Sequence, residues 1–320
     1  MSQERAKSRG VQLVEIEEDY SGQRVDNYLL RTLKGVQKSR IYRIIRKGEV
    51  RLNGGRVKPH ARLQAGDILR IPPVRVGEKS NLRNKRVENN IEKTIIYENK
   101  VMLIINKPEG VAVHGGSGIS AGIIESLRQI RPQDPHLELV HRLDRGTSGC
   151  LMVAKRRSFL KLLQAELQRK TSLKKFYTVI THGSWPRRKQ HIKVPIARNI
   201  LRSGERVSRV QAGGKECHTE FRNLVGDGQF SILEAIPVTG RTHQIRVHCR
   251  YAGYPVVGDD KYGFEDRDRS LQGRGLRRMM LHASRLEIPA LGEYPHLQVE
   301  APLDSQMQQL MDEIKSAEHI

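Results

Sequence analysis

Between residues 74 and 92 the chain nearly runs out of apolar side chains, and this stretch limits every fold it can adopt. Glu78-Lys79-Ser80-Asn81 and Asn84-Lys85-Arg86 fall there among few hydrophobic residues. A segment that buries so little reads as a polar linker, long enough to let its two flanks move independently. The expected organisation is a flexible polar tail over 1–19, a small domain over 20–82, a linker over 83–92 and a large domain over 93–320. A length of 320 residues suits one large domain plus a module.

The small domain is strongly basic. From Gly22 to Pro73 there are 13 Lys/Arg and 3 Asp/Glu, within a chain whose net charge is +22. Val25, Tyr28, Leu29 and Leu33 recur at helical spacing. A second helix is expected from Lys38, with Ile41, Ile44 and Ile45 as its apolar stripe and Gly48 past its end. Lys38, Arg40, Arg43, Arg46 and Lys47 cover its remaining surface and are candidates for contacts to phosphates, which give affinity more than sequence choice. Asn53-Gly54 between Val50-Arg51-Leu52 and Arg56-Val57 predicts a hairpin. Ile68 to Ile71 closes the module as a strand.

Charge of this sign and size points to nucleic acid or an anionic membrane surface. No apolar run approaches the roughly 20 residues of a spanning helix, and Met1 to Gly10 carries no hydrophobic core of a secretory signal. Cys150, Cys217 and Cys249 are too few and too scattered for a disulfide framework, which suits a reducing cytoplasm. Neither Cys217-His218 nor His243/His248/Cys249 follows a zinc template, so no metal is expected.

The large domain alternates strands with a few helices. Ile95-Ile96 and Val101 to Ile105 flank a turn, Cys150 to Ala154 is a short buried run, and Phe176 to Ile180 has high strand propensity. Cys217 to Val225 and Phe230 to Ile236 flank Gly226-Asp227-Gly228 as a hairpin. Phe159, Leu162, Leu163 and Leu167 mark an amphipathic helix, and Gly240-Arg241-Thr242 opens another that ends before Gly253. The class expected is α+β: a largely antiparallel mixed sheet flanked by helices, preceded by a small α/β module.

The chemistry concentrates in His141-Arg142-Leu143-Asp144-Arg145-Gly146-Thr147-Ser148-Gly149. Asp144 lies between two arginines ahead of a turn of small residues. Nearby positive charge favours the ionised carboxylate, which can serve as nucleophile or base. His141 and His243 read as structural donors.

Three further segments complete a resemblance: Asn106-Lys107-Pro108-Glu109-Gly110 with His114, Lys175-Phe176-Tyr177, and Gly240-Arg241-Thr242-His243-Gln244-Ile245-Arg246-Val247-His248. Together with the Asp144 stretch they resemble the RluA family of pseudouridine synthases over almost all of residues 93–290. The resemblance is strongest to members that carry a basic N-terminal module and act on large-subunit (23S) ribosomal RNA. Arg24 to Leu29, Lys38-Ser39-Arg40 and Gly48 to Gly54 resemble the small RNA-binding domain named after a small-subunit ribosomal protein. The resemblance implies a pseudouridine synthase fold and a reaction that detaches uracil, rotates it and reattaches it through carbon. That reaction calls for no cofactor, in keeping with the lack of a GxGxxG or phosphate-loop motif. It implies Asp144 as catalytic aspartate, Arg246 as its basic partner, Tyr177 against the target base, Ile245 as an apolar wall and Arg142 as the side chain entering the helix stack when the uridine flips out. Arg145 is left without a role. The expected partner is 23S ribosomal RNA, met by a cytoplasmic monomer. The competing classes are a ribosome-associated RNA-binding protein without catalysis and a nucleoside hydrolase, although hydrolysis of glycosides ordinarily needs two carboxylates and the motifs offer only Glu109 as a second.

Overall fold

The computed structural model describes residues 10–33, 36–74, 91–115, 121–169, 172–188, 190–200 and 206–318. It forms two compact units, Met1–Arg83 and Asn84–Ile320.

In the first unit β1 (Gln12–Glu15), β2 (Arg51–Leu52), β3 (Gly55–Arg56) and β4 (Ile68–Ile71) make a sheet in the order β1-β4-β2-β3. Helices α1 (Val25–Thr32) and α2 (Lys38–Arg46) pack Val25, Leu29, Ile41, Ile44 and Ile45 into one core with Leu63 and Leu69. The Asn53-Gly54 turn has φ of 49° and 79°, the left-handed pair that a tight two-residue hairpin requires. Lys38, Arg43, Arg46 and Lys47 are exposed and Arg40 is half-buried. Asp26 is buried at the start of α1, where it accepts from Arg24 Nε at 3.0 Å, Arg24 Nη2 at 2.6 Å and the Tyr42 hydroxyl at 2.8 Å, tying the two helices together.

The expected flexible tail is corrected in part. Residues 12–15 pair antiparallel with β4, from Gln12 opposite Ile71 to Glu15 opposite Ile68. Ile16 enters the core, and its backbone closes against Asp67 and Gly66 at 2.8 Å each. One buried isoleucine and a four-residue edge pairing hold this segment, too little apolar pattern to stand out in a polar stretch. Residues 1–9 lie outside the described residues.

The expected linker also lies mostly outside them. Its end is corrected, because Ile91 is buried in the core of the second unit and Glu92–Thr94 form a 3-10 turn.

The second unit is built on β5 (Ile95–Glu98), β6 (Met102–Lys107), β7 (Glu138–Leu139), β8 (Ser148–Ala154), β9 (Lys174–His182), β10 (His191–Ile192), β11 (Ile196–Ile200), β12 (Arg206–Val210), β13 (Thr219–Gly226), β14 (Phe230–Pro237), β15 (Leu281–Ile288) and β16 (Leu297–Glu300). Eight strands follow the order β10-β13-β14-β9-β15-β8-β6-β5, with β16 beside β15, β7 beside β8, and β11–β12 as a separate hairpin. The β15–β8 pairing is parallel, through His282 opposite Ser148 and Ala283 opposite Gly149, while the other pairings described are antiparallel. The sheet is therefore mixed and largely antiparallel, as expected.

Gly149 is where β8 meets β15 most closely. It has φ of 102°, and a Cβ there would lie 2.3 Å from the Ala283 carbonyl oxygen. A side chain at this point would push the start of β8, and the loop preceding it, off the sheet.

Helices α3 (Ile123–Ile130), α4 (Arg157–Arg169), α5 (Gln244–Tyr251), α6 (Glu265–Gly273) and α7 (Ser305–Glu318) complete the unit. Strands β6 and β8 are almost wholly buried, with Leu103, Ile104, Ile105, Leu151, Met152 and Val153 at the centre of the core. No described helix is long and apolar enough to cross a membrane.

Candidate active site

Asp144 stands on the loop between β7 and β8. That loop is fastened from beneath by Lys107, the last residue of β6, which is fully buried. Its ammonium donates to the carbonyls of Pro108 at 2.8 Å, Val111 at 2.8 Å and Arg145 at 3.0 Å. Three acceptors meet three protons, the arrangement a buried lysine needs. Burial pushes its pKa down to about 7, partly opposed by the charge of Glu109. Arg145, without a role in the sequence motifs, completes the brace: its Nε donates to the Gly110 carbonyl at 2.8 Å and its own carbonyl accepts from Gly110 N–H at 2.9 Å.

On the far side of Asp144, Ser148 is gripped by Arg278 Nη2 at 2.9 Å and His282 Nδ1 at 2.7 Å, while His282 Nε2 reaches the Ala301 carbonyl at 3.1 Å. His141 anchors the start of the motif through its ring. Its Nε2 accepts the Met152 N–H at 3.2 Å, and burial, helped by the Lys175 charge, pushes its pKa down to about 3, so the ring is a neutral acceptor.

Helix α5 brings Ile245 and Arg246 to the same place. Its entry is fixed by Gln244, which accepts from the Thr239 hydroxyl at 2.6 Å and Arg241 N–H at 3.1 Å and donates to the His218 carbonyl at 2.9 Å. Just before it His243 adopts φ of 57°. That left-handed conformation is uncommon outside glycine. Its Nδ1 pairs with the Tyr262 hydroxyl at 2.8 Å, and its Nε2 lies 3.8 Å from Asp144 Oδ2.

Arg246 is nearly buried and serves three carboxylates. Nη1 donates to Asp144 Oδ2 at 3.2 Å, Nε and Nη2 each donate to Asp259 at 2.7 Å, and Nη2 reaches Asp260 at 3.2 Å. Burial works against its charge, but Asp259 and then Asp144 outweigh it and hold the guanidinium pKa above its ordinary value. The Tyr262 ring lies beneath it, 5.0 Å from the guanidinium carbon. The sequence motifs do not single out Asp259, Asp260 or Tyr262. The signal available is a pair of acids, Asp259-Asp260, just after the apolar run Val256-Val257.

These side chains face a cleft of about 1080 Å³ lined by Arg142, Asp144, Lys175, Tyr177, Ile245 and Arg246, among others. Asp144 is 27% exposed there, and only Oδ2 has a partner among the described residues. Tyr177 and Ile245 are buried in the wall at 7% and 6% exposure. Burial, and then the Asp144 charge, raise the Tyr177 pKa, so its hydroxyl stays protonated at neutral pH. Burial also lowers the pKa of Lys175. Arg142 is exposed at the mouth. The five candidates of the large domain thus meet at one cleft, whereas Lys38, Arg40, Arg43, Arg46 and Lys47 belong to the other unit.

Comparison with known proteins finds matches to both units. The family described as RNA pseudouridylate synthase matches residues 101–251, and the S4 domain matches residues 23–69. A ribosomal large subunit pseudouridine synthase C from Pasteurella multocida is 48% identical over 317 residues, spanning 98% of this chain and 96% of the relative. Its counterpart from Escherichia coli K12 is 45% identical over 321 residues, spanning 98% and 99%. The chain belongs to the pseudouridine synthase family.

Among solved structures, human RNA pseudouridylate synthase domain containing 4 shares the fold with a TM-score of 0.59 at 24% identity, covering 72% of this chain and 96% of that one. Human RNA pseudouridylate synthase domain containing 1 reaches a TM-score of 0.52 at 27% identity, covering 70% and 94%. As a pseudouridine synthase the protein is an isomerase, and its first unit is an S4 domain.

Among the described residues, one group of side chains has the donor set to hold a cation. His191, His218 and Glu220 bring donor atoms within 4.8 Å of one another, because β10 and β13 pair His191 with Glu220. His191 Nδ1 and His218 Nε2 already pair at 3.2 Å. The cysteine and histidine groups considered from sequence are otherwise engaged: Cys217 Sγ with the Lys215 carbonyl at 3.2 Å and His248 Nδ1 with the Thr219 hydroxyl at 2.8 Å.

Proposed function

We propose that the protein isomerises specific uridines of 23S ribosomal RNA to pseudouridine, as a cytoplasmic monomer, with Asp144 as the catalytic carboxylate. One observation carries the reading: Asp144 Oδ2 is held 3.2 Å from a buried arginine while the carboxylate stays open to a cleft walled by Tyr177 and Ile245. The large-subunit substrate follows the activity for which the relatives are named and the basic S4 domain.

In this reading a uridine leaves its helix at a cost of a few kcal/mol, and the planar Arg142 guanidinium takes its place in the stack. Asp144 acts on the ribose, either as nucleophile at C1′, forming an ester bond that breaks when C5 attacks C1′, or as base at C2′, to which it returns the proton once C5 has bonded to C1′. The C1′–N1 bond breaks, uracil turns against Tyr177 and Ile245, C5 bonds to C1′, and the C5 proton is lost as N1 gains one. Tyr177, kept as a neutral phenol, stacks on the base and donates a hydrogen bond. Arg246 holds the carboxylate aimed and ionised. Lys38, Arg40, Arg43, Arg46 and Lys47 hold phosphates elsewhere on the RNA.

The test is incubation with uridine-labelled 23S fragments. Pseudouridine supports the proposal, free uracil would make the protein a hydrolase, and neither product would make it a binder. Asp144→Asn should abolish isomerisation and leave RNA binding nearly unchanged. Substantial residual turnover would remove Asp144 from the mechanism.

A further inference from the structure

The β11–β12 hairpin separates the Asp144 cleft from a second cavity. Arg198 on β11 lines the cleft, whereas Val207 to Val210 on β12 line a space of about 570 Å³ completed by the end of α5 and residues 260–263. That volume is ample for one nucleotide.

Its lining is unusual for a surface hollow. Tyr251, the last residue of α5, is 58% exposed, an aromatic face left in water. Around it stand the exposed cations Arg209, Arg250 and Lys261. The one carboxylate among the described lining residues, Asp260, already meets Arg246 at 3.2 Å. An open aromatic face ringed by positive charge is what a single-stranded nucleic acid recognises, with the base on the ring and the phosphate among the cations.

The cavity is joined to the catalytic cleft. The Tyr262 ring lines the cavity, while its hydroxyl accepts from Ser208 N–H at 2.9 Å and pairs with His243 at 2.8 Å. Arg198 Nη2 also donates to the Thr242 hydroxyl at 2.7 Å. Both strands of the hairpin are thus tied to the turn that opens α5, beside Asp144.

We propose that this cavity holds a second, unpaired nucleotide of the RNA substrate, its base stacked on Tyr251 and its phosphate met by Arg209, Arg250 and Lys261. The proposal rests on the reading that the substrate is RNA with a flipped uridine. Arg142 fills the place of the extruded target itself, while Tyr251 offers a stacking face to a second base left unpaired beside the opened helix. Seating that nucleotide also fastens the hairpin, and through Tyr262 the His243 turn.

The experiment measures binding of fluorescein-labelled 23S ribosomal RNA fragments by anisotropy, with pseudouridine formation recorded separately. Tyr251→Ala should raise Kd about tenfold, the scale of one base–aromatic stack, and Tyr251→Phe should bind as wild type does. In the fragment bound most tightly, single abasic nucleotides are then introduced one position at a time. One position other than the target should weaken wild-type binding about tenfold and leave Tyr251→Ala unaffected. Tyr251→Ala binding within twofold of wild type, or an identical abasic profile in both proteins, would overturn the proposal, as would failure of the wild type to bind RNA. Binding without pseudouridine in the wild-type reaction would instead overturn the proposed function, and the abasic comparison would still decide the cavity.

Discussion

Arg246 meets Asp259 through two nitrogens at 2.7 Å each and Asp144 through one at 3.2 Å. The carboxylate that fixes the guanidinium is therefore Asp259, wholly buried and itself capped by the N–H groups of Lys261 at 2.9 Å and Tyr262 at 3.1 Å. Asp144 receives the remaining edge and keeps one oxygen unengaged by described residues.

Asp259→Asn should consequently damage catalysis through Arg246. An amide offers one acceptor where the fork needs two, and it leaves a buried guanidinium undercompensated, a defect worth about 3–5 kcal/mol of stability. The expected result is a fall in kcat of at least about tenfold with KM for RNA nearly unchanged, checked by single-turnover assays alongside urea denaturation. Unaltered kcat in a folded variant would mean that Arg246 is not aimed by Asp259.

The Lys107 brace leads to a second expectation. Lys107→Met keeps the buried stem and removes the donors to three carbonyls, each costing about 1–3 kcal/mol if left dry. Thermal melts should show a lower Tm, and kcat should fall more than KM rises because the Asp144 loop loses its floor. The sign of the pH effect follows from the depressed pKa. Between about 7 and the ordinary lysine value, the unfolded chain holds a proton the folded protein has given up. Lys107 therefore makes stability rise with pH across that window, and Lys107→Met should flatten the rise. An unchanged slope would show that Lys107 keeps its charge.

Much of this site is legible in the chain because its motifs are short and contiguous. Asp144, Ile245 and Arg246 lie in runs whose side chains have few alternative uses, and the hairpin at Asn53-Gly54 is dictated by local backbone preference. What escapes is what depends on distant pairing. Asp259 meets Arg246 only where the chain folds back after α5, Lys107 reaches the Arg145 carbonyl only because β6 pairs with β8, and β15 sits at the sheet centre without any turn signal to announce its parallel partner β8. Residues 12–15 gain their order from an edge pairing with β4, which no local pattern encodes. His141 meets the Met152 N–H through Nε2, and a lone histidine in sequence does not reveal which backbone group it will meet.

Two other histidines make the second unit sensitive to acid. Burial pushes His248 and His282 down to about 4, partly offset for each by a backbone hydrogen bond. Above about pH 6.5 both folded and unfolded rings are neutral and neither contributes. Below it the unfolded chain takes protons that the folded one refuses, so stability falls until pH reaches the folded values. Each ring should cost about 1.4 kcal/mol per pH unit within that window. Urea denaturation at pH 7 and pH 5 should show the loss, and His282→Gln should lessen it. Equal stability at the two pH values would contradict the neutral assignment.

The S4 domain should contribute affinity that salt removes. Arg43 and Arg46 are exposed on α2, beside the exposed Lys47. Removing one cation from a phosphate lowers the steepness of log K against log salt by about 1. Arg43→Ala combined with Arg46→Ala should therefore reduce the slope by about 2 and weaken all RNA sequences alike. The chemistry at Asp144 should persist, since it depends on groups of the other unit. Deleting residues 1–82 extends the same logic: selection of ribosomal RNA should suffer more than the rate on a short saturating fragment. Equal losses in both would mean that the S4 domain contributes to the chemical step as well as to holding the RNA.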